Sequence, residues 1–211
     1  MHPYATDSNE KKHIPFILVT ISIPFAWLLN KMFLSEMLNL TSFWWLEAPS
    51  VFGFYGLFYA VFDKYLWRTS IFRKIGMVKI PDLNGIWKGY ISSSFDSLET
   101  KQDATVEVRQ SWTGICISLK TDNSKSRSLT ASILTKDQNA ILISYEYLNE
   151  PKYSAKATMH THRGTCRLIL SSDRQELKGE YYTGRDRQNF GVLTFKRLSN
   201  GSYANSNEVN R

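Results

Sequence analysis

Two long apolar runs close together near the start of the chain constrain its fold more than any other feature. Ile14 to Leu29 is sixteen consecutive uncharged residues, extended by Met32, Phe33 and Leu34 beyond a lone Lys31. At about 1.5 Å per residue, the run and its extension just cross the ~30 Å hydrocarbon core of a bilayer. Pro15 falls in a first turn, where proline is tolerated, and Pro24 falls mid-span, where it predicts a kink. The second run, Phe43 to Phe62, is twenty residues rich in Phe, Trp and Tyr, interrupted by Glu47. Trp44, Trp45, Tyr65 and Trp67 cluster near its ends, where amphipathic rings prefer the headgroup level. Two readings of Glu47 stand: snorkelling to the interface, or a polar contact in a pore or oligomer.

Lys11 and Lys12 precede the first span, and Lys64, Arg68, Arg73, Lys74 and Lys79 follow the second. The connecting segment Asn30 to Ser42 carries only Lys31 and Glu36. The positive-inside rule therefore predicts both termini in the cytoplasm. A cleaved signal peptide is disfavoured, because no small-x-small site follows the first run and a second span comes directly after it. The expected organisation is a tail over 1–12, a two-helix transmembrane hairpin over 13–66, a basic linker over 67–80, a soluble domain over 81–198 and a disordered tail over 199–211.

A chain of 211 residues has room for that anchor and one soluble domain. The net charge of +7 divides into +3 for residues 1–80 and +4 for 81–211, so neither part is basic enough to argue for long nucleic acid. Cys116 and Cys166 lack metal spacing, and a small oxidised domain would carry more cysteines, so a reduced compartment fits.

From Leu83 the period changes to short runs of alternating apolar and polar residues, separated by Gly, Asp, Asn and Ser. Strands are expected near 83–93, 104–110, 114–120, 127–135, 139–147, 154–161, 165–171, 176–183 and 189–197. Turns at Ser111 to Gly114, Lys136 to Asn139 and His162 to Gly164 favour sequential hairpins. No helical period interrupts them, which leaves a membrane-anchored all-β fold: two transmembrane helices, then a small antiparallel up-and-down β-barrel of about eight strands. Val106, Val108, Ile115, Ile117, Leu119, Leu129, Ala131 and Ile133 share one register and are expected to point inward. Such a barrel either fills with side chains or holds one small ligand.

No P-loop, dinucleotide-binding glycine pattern, zinc cluster or nucleophile elbow occurs, so no catalytic residue, metal or cofactor is expected. His160 and His162, two apart on an expected strand, share a face and have two readings, a shared metal or, with no third ligand nearby in sequence, a surface or cavity-rim polar pair. The densest polar constellation is Gly179-Glu180-Tyr181-Tyr182-Thr183-Gly184-Arg185-Asp186-Arg187. Arginine grips phosphate through a rigid fork, tyrosine stacks on a base, and Thr183 adds a hydroxyl. The alternative is a hairpin whose Arg185 and Arg187 make exposed ion pairs with Asp186 or Asp173. Trp87 likewise has two readings, a plug at one end of the barrel or a base-stacking platform.

These residues resemble a family. Two spans, a β domain opening with Leu83-Asn84-Gly85-Ile86-Trp87-Lys88-Gly89, His162-Arg163-Gly164-Thr165, and the closing Leu177 to Arg187 segment with Gly191 and Arg197 are similar to the two-transmembrane, β-strand-rich effectors of bacterial cyclic-oligonucleotide antiphage systems (CBASS). The resemblance covers residues 13–198. It implies a receptor-effector in the bacterial inner membrane, whose partners are a cyclic dinucleotide made by a cognate nucleotidyltransferase, the lipid bilayer and, on activation, further copies of itself. The helices would then disrupt the membrane and end growth of the infected cell. Ligand-binding residues on this reading are Tyr182, Thr183, Arg185, Arg187, Trp87 and Arg163. A membrane-tethered barrel binding a lipid or other apolar ligand is the alternative, and a lipid-modifying membrane enzyme comes third.

Overall fold

The computed structural model describes residues 1–34, 44–136, 140–155, 159–185 and 187–198, giving only the backbone course at 33, 34 and 44–48. The chain forms two compact units, Ser8–Pro81 and a second made of Met1–Asp7 together with Asp82 onward.

The first unit is helical. Helix α1 (Glu10–Leu29) runs through both prolines as one element and widens into a π turn at Asn30–Leu34. Its buried residues Ile14, Leu18, Ser22 and Ala26 recur every fourth position, which lines them up on one face. Phe25 meets Phe58 of helix α2 (Trp44–Lys64) edge-on at 5.1 Å between ring centroids. Around the remaining surface Phe16, Ile23, Trp27 and Leu28 are exposed, a surface that suits lipid and not water. Mid-helix hydroxyls are satisfied within the helix, Ser22 donating to the Leu18 carbonyl at 2.7 Å and Thr20 to that of Phe16 at 2.9 Å.

A 3-10 turn (Leu66–Arg68) and helix α3 (Ser70–Lys74) follow. Trp67, expected at the headgroup level, is instead fully buried within this region, and Phe72 packs edge-on against Phe62 at 5.5 Å. The side chains of Trp44, Trp45 and Glu47, and the connecting loop at 35–43, lie outside the described residues.

The second unit is a closed eight-stranded antiparallel barrel: β1 (Gly85–Ser93), β2 (Gln102–Gln110), β3 (Gly114–Thr121), β4 (Ser124–Leu134), β5 (Ile141–Pro151), β6 (His162–Leu170), β7 (Glu176–Thr183) and β8 (Phe190–Arg197). Each strand pairs with its successor and β8 returns to β1, with Leu193 opposite Ile91. The expected up-and-down meander is therefore what forms. It has eight strands and not nine: Tyr153–Ala155 is a 3-10 turn, Met159 to Thr161 form no strand, and β6 begins at His162. The turn expected at His162 to Gly164 is thus the start of a strand, and Gly164 is there for space. It pairs with Tyr147, and a Cβ at Gly164 would strike the Tyr147 ring. The Ser111 to Gly114 turn does form, the Ser111 amide donating to the Gly114 carbonyl at 2.8 Å. Residues 137–139 and 199–211, expected as a turn and a disordered tail, lie outside the described residues.

The inward register holds for Val106, Val108, Ile115, Ile117 and Leu119. On β4 it shifts. A bulge between Ser128 and Thr130 leaves Leu129 only half-buried and turns Ser124, Ser126 and Ser128 inward, before Ile133 resumes the apolar pattern.

One end of the barrel is packed solid by Trp87, Ile133, Ile143, Leu177 and Phe195, each at most 2% exposed. Trp87 donates its ring N–H to the Leu83 carbonyl at 3.0 Å, and the Arg197 guanidinium lies 4.5 Å over the ring while also donating to the Asp82 carbonyl at 2.6 Å. The residue is a plug. Replacing it by alanine empties the most occupied position of the closed end, so Trp87→Ala is expected to cost about 3–5 kcal/mol of barrel stability. Chemical denaturation of the full chain, followed by β-sheet circular dichroism, measures it.

Candidate functional site

Toward the other end of the same strands the inner positions turn polar. After Val106 and Ile143 come Leu119, Ser126 and Ser124 on β3 and β4, Tyr145, Tyr147 and Asn149 on β5, and Cys166, Tyr181 and Thr183 on β6 and β7. Small side chains here leave a cavity of about 640 Å³, within the range of small-molecule sites. The loops closing this end supply Asp96, Lys101, Asp122, Asn123 and the turn after β7.

Three tyrosines give the cavity its character. Tyr145 and Tyr147 follow one another on the inner face of β5, their centroids 6.3 Å apart, and Tyr147 meets the His162 ring edge-on at 6.5 Å. Tyr181 stands opposite Gly191 on β8, where a Cβ would collide with its ring. Glycines at 164 and 191 therefore make room for Tyr147 and Tyr181. Burial pushes all three phenols above their ordinary range, while the charge of Arg187 partly counteracts this at Tyr147 and Tyr181. They remain neutral donors at physiological pH. Burial likewise pushes the Cys166 thiol up to about 12, only partly offset by its hydrogen bond with Tyr145, so this sulfur is inert and not a nucleophile.

The residues singled out from sequence separate into two groups. Thr183 and Arg187 line the cavity. The Thr183 hydroxyl donates to the Asn189 carbonyl at 3.0 Å and accepts from the Asn189 amide at 2.7 Å, tying down the turn that carries Arg187. With the Asn189 side-chain oxygen turned toward it, Arg187 Nε donates to that amide at 3.1 Å.

Tyr182 projects from the outer wall and is 44% exposed, because strand alternation gives the inner place to Tyr181. Arg185 is exposed in the turn and outside the lining. Arg163 stands on the outer face of β6, 3.8 Å from Glu146, and Trp87 is the plug of the opposite end. Arg185 and Arg187 therefore do not converge. Of the two histidines, His162 lines the cavity and His160 is exposed, its carbonyl 2.8 Å from His162 Nδ1. Among the described residues no group of His, Cys, Asp and Glu is placed to hold a metal ion.

Sequence reasoning missed Tyr145, Tyr147, Tyr181 and Asn149. The signal was parity: Tyr145, Tyr147 and Asn149 share the register of Ile143, and Tyr181 that of Leu177.

Comparison with known proteins identifies the family. Residues 78–197 match the family model described as the Cap15 cyclic dinucleotide receptor domain, and residues 12–68 the one described as the Cap15 TM helices. Among curated proteins the chain is similar to CD-NTase-associated protein 15 of Yersinia aleksiciae, 30% identical over 182 residues that cover 79% of this chain and 85% of the relative. It is also similar to the protein of the same name in Staphylococcus schleiferi, 29% identical over 137 residues covering 65% and 71%. A barrel preceded by apolar helices is common to fold and comparison alike, and the chain belongs to the Cap15 family of CBASS effectors.

Proposed function

We propose that the open end of the barrel binds a cyclic dinucleotide and that occupancy is converted, through self-association, into disruption of the inner membrane by the helices. The observation that supports this most is the cavity itself: ligand-sized, of mixed polar and apolar lining, walled by three neutral tyrosines and edged by Arg187. A cyclic dinucleotide offers two phosphates and two flat bases. Arg187 suits a phosphate, with Lys101 as a further cation in the lining, and the tyrosine faces suit the bases. Asn149, Ser124 and Ser126 offer donors and acceptors to base edges or sugars. Asp96, Asp103 and Asp122 also line the cavity, so its field is mixed and favours a ligand that places its phosphates toward Arg187. The lipid-binding alternative calls for a wide apolar cavity without charge, whereas this lining is mixed and carries Arg187, Lys101 and three aspartates beside its apolar residues.

The proposed placement in the membrane has both spans crossing and the barrel in the cytoplasm, where a nucleotide made by a cognate nucleotidyltransferase reaches it. Lys64, Arg68, Arg73, Lys74 and Lys79 after the second apolar run support that orientation. Protease added to intact spheroplasts is expected to leave the barrel uncut. Ready degradation there contradicts both the orientation and the receptor role.

Arg187→Ala removes a charge-assisted contact and is expected to weaken cyclic dinucleotide binding about 10- to 100-fold, the equivalent of about 1.5–3 kcal/mol. Tyr182→Ala and Arg185→Ala, on the outer wall and in the exposed turn, are expected to stay within about threefold of wild type. Calorimetric titration of the detergent-solubilised full chain distinguishes the two groups. Equal losses from all three variants would move the site off the cavity.

A further inference from the structure

The barrel seam holds a segment that the anchor-plus-barrel description leaves out. Strands β3 and β4 pair over only three residues, Ser118 with Arg127, Leu119 with Ser126 and Lys120 with Lys125, and then diverge at the β4 bulge. A gap of this kind leaves backbone donors and acceptors unpaired unless something enters it. Residues 2–6 enter it. His2 and Pro3 pair antiparallel with Ile115 and Gly114 of β3, and Ala5 and Thr6 pair parallel with Ser132 and Ile133 of β4.

Side chains fasten the segment along its length. His2 Nε2 lies 2.8 Å from the Ser128 hydroxyl, which also accepts from the Ile117 amide at 3.0 Å. Tyr4, 5% exposed, donates to the Trp112 carbonyl at 2.7 Å. Asp7 closes the clasp by accepting from the Thr135 amide at 2.8 Å, the Thr135 hydroxyl at 3.0 Å and the Lys136 amide at 2.8 Å. Burial raises the Asp7 carboxyl, but these hydrogen bonds outweigh it and hold the group below the usual carboxylate range.

Only Ser8 and Asn9 separate this clasp from helix α1, at whose start Glu10 accepts from the Lys79 and Ile80 amides at 2.6 and 3.2 Å. Three Cα–Cα steps join Asp7 to Glu10, a reach of at most about 11 Å, so the clasp and the start of α1 are near neighbours along the chain. On the ligand side the connection is as short. Ser124 and Ser126 line the cavity, and Ser128, two residues further along the same face of β4, is the residue that His2 holds.

We propose that residues 1–7 are a ninth, seam-closing strand of the receptor domain, and that through Ser128 and Asp7 they couple the cavity wall on β4 to helix α1. This rests on the cavity being the ligand site. Coupling is reciprocal: a ligand that draws on Ser124 and Ser126 alters how tightly the seam strand docks, and loosening the strand alters ligand affinity by the same factor.

Hydrogen exchange on the full chain in lipid nanodiscs tests both halves. Without ligand, Asp7→Asn is expected to speed exchange of the Thr135 and Lys136 amides at least tenfold, and Tyr4→Phe, a milder change, at least twofold. Exchange on the distant β6 amide of Leu168 and the circular dichroism spectrum are expected to stay unchanged, which rules out general unfolding. The probe is a panel of 3′,3′-cyclic dinucleotides covering purine and pyrimidine pairs. With a member that saturates the wild type, the same two amides are expected to change exchange at least threefold, and Asp7→Asn to change affinity by a matching factor. Unaltered exchange in both variants without ligand overturns the docked strand. Saturable binding that leaves the seam amides and the variant's affinity untouched overturns the coupling. If no member of the panel binds wild type by calorimetry, the proposed function fails and the coupling with it, while the ligand-free exchange still decides whether the strand docks.

Discussion

Closing eight strands on themselves leaves an interior just wide enough for one set of inward side chains, and most of what this protein can do follows from how that interior is filled. Large apolar residues at one end, Trp87 and Phe195 above all, pack it to a core. At the other end serines and glycines occupy inner positions, and the interior becomes a chamber. The same alternation thus produces a packed half and a hollow half from one sheet. The tyrosines belong to the second half because Gly164 and Gly191, across the strand pairing, leave their rings somewhere to lie.

The two ends also differ in what joins them. Asp7 and Asp82, where the chain leaves the barrel for the helical unit, both belong to the closed end, beside Thr135 and Arg197 respectively. The loops after β1, β3, β5 and β7 ring the open end. On the proposed reading, the ligand site lies at the end opposite these two positions. The route proposed for a signal from the cavity runs down β4 from Ser126 to Ser128 and the seam strand.

Much of this was legible in the sequence, and the exceptions have physical causes. The barrel, its meander and the boundaries of its eight strands to within about four residues followed from period-two alternation, whereas the strand expected over 154–161 did not form. The inward face of β4 did not, because a bulge between Ser128 and Thr130 changes parity mid-strand and no local residue type announces it. Tyr182 was preferred over Tyr181 because both sit in the same conspicuous segment. Only parity with the buried Leu177 separates them. Gly164 read as a turn since glycine most often marks one, whereas here its missing side chain accommodates a ring. Residues 1–7 carry no apolar run or period and read as a tail. Their role depends on a gap that exists only once the barrel has closed.

The central claim is that a cyclic dinucleotide sits inside the barrel against its inner tyrosines. Ring-labelled tyrosine resonances of the full chain, assigned by single substitutions and followed during titration with the cyclic dinucleotide panel, test it most directly. Tyr145, Tyr147 and Tyr181 are expected to shift together and saturate at one ligand concentration, with Tyr182 on the outer wall unmoved. Saturable shifts at Tyr182 without any at the three inner rings would place the ligand outside the barrel and contradict the account.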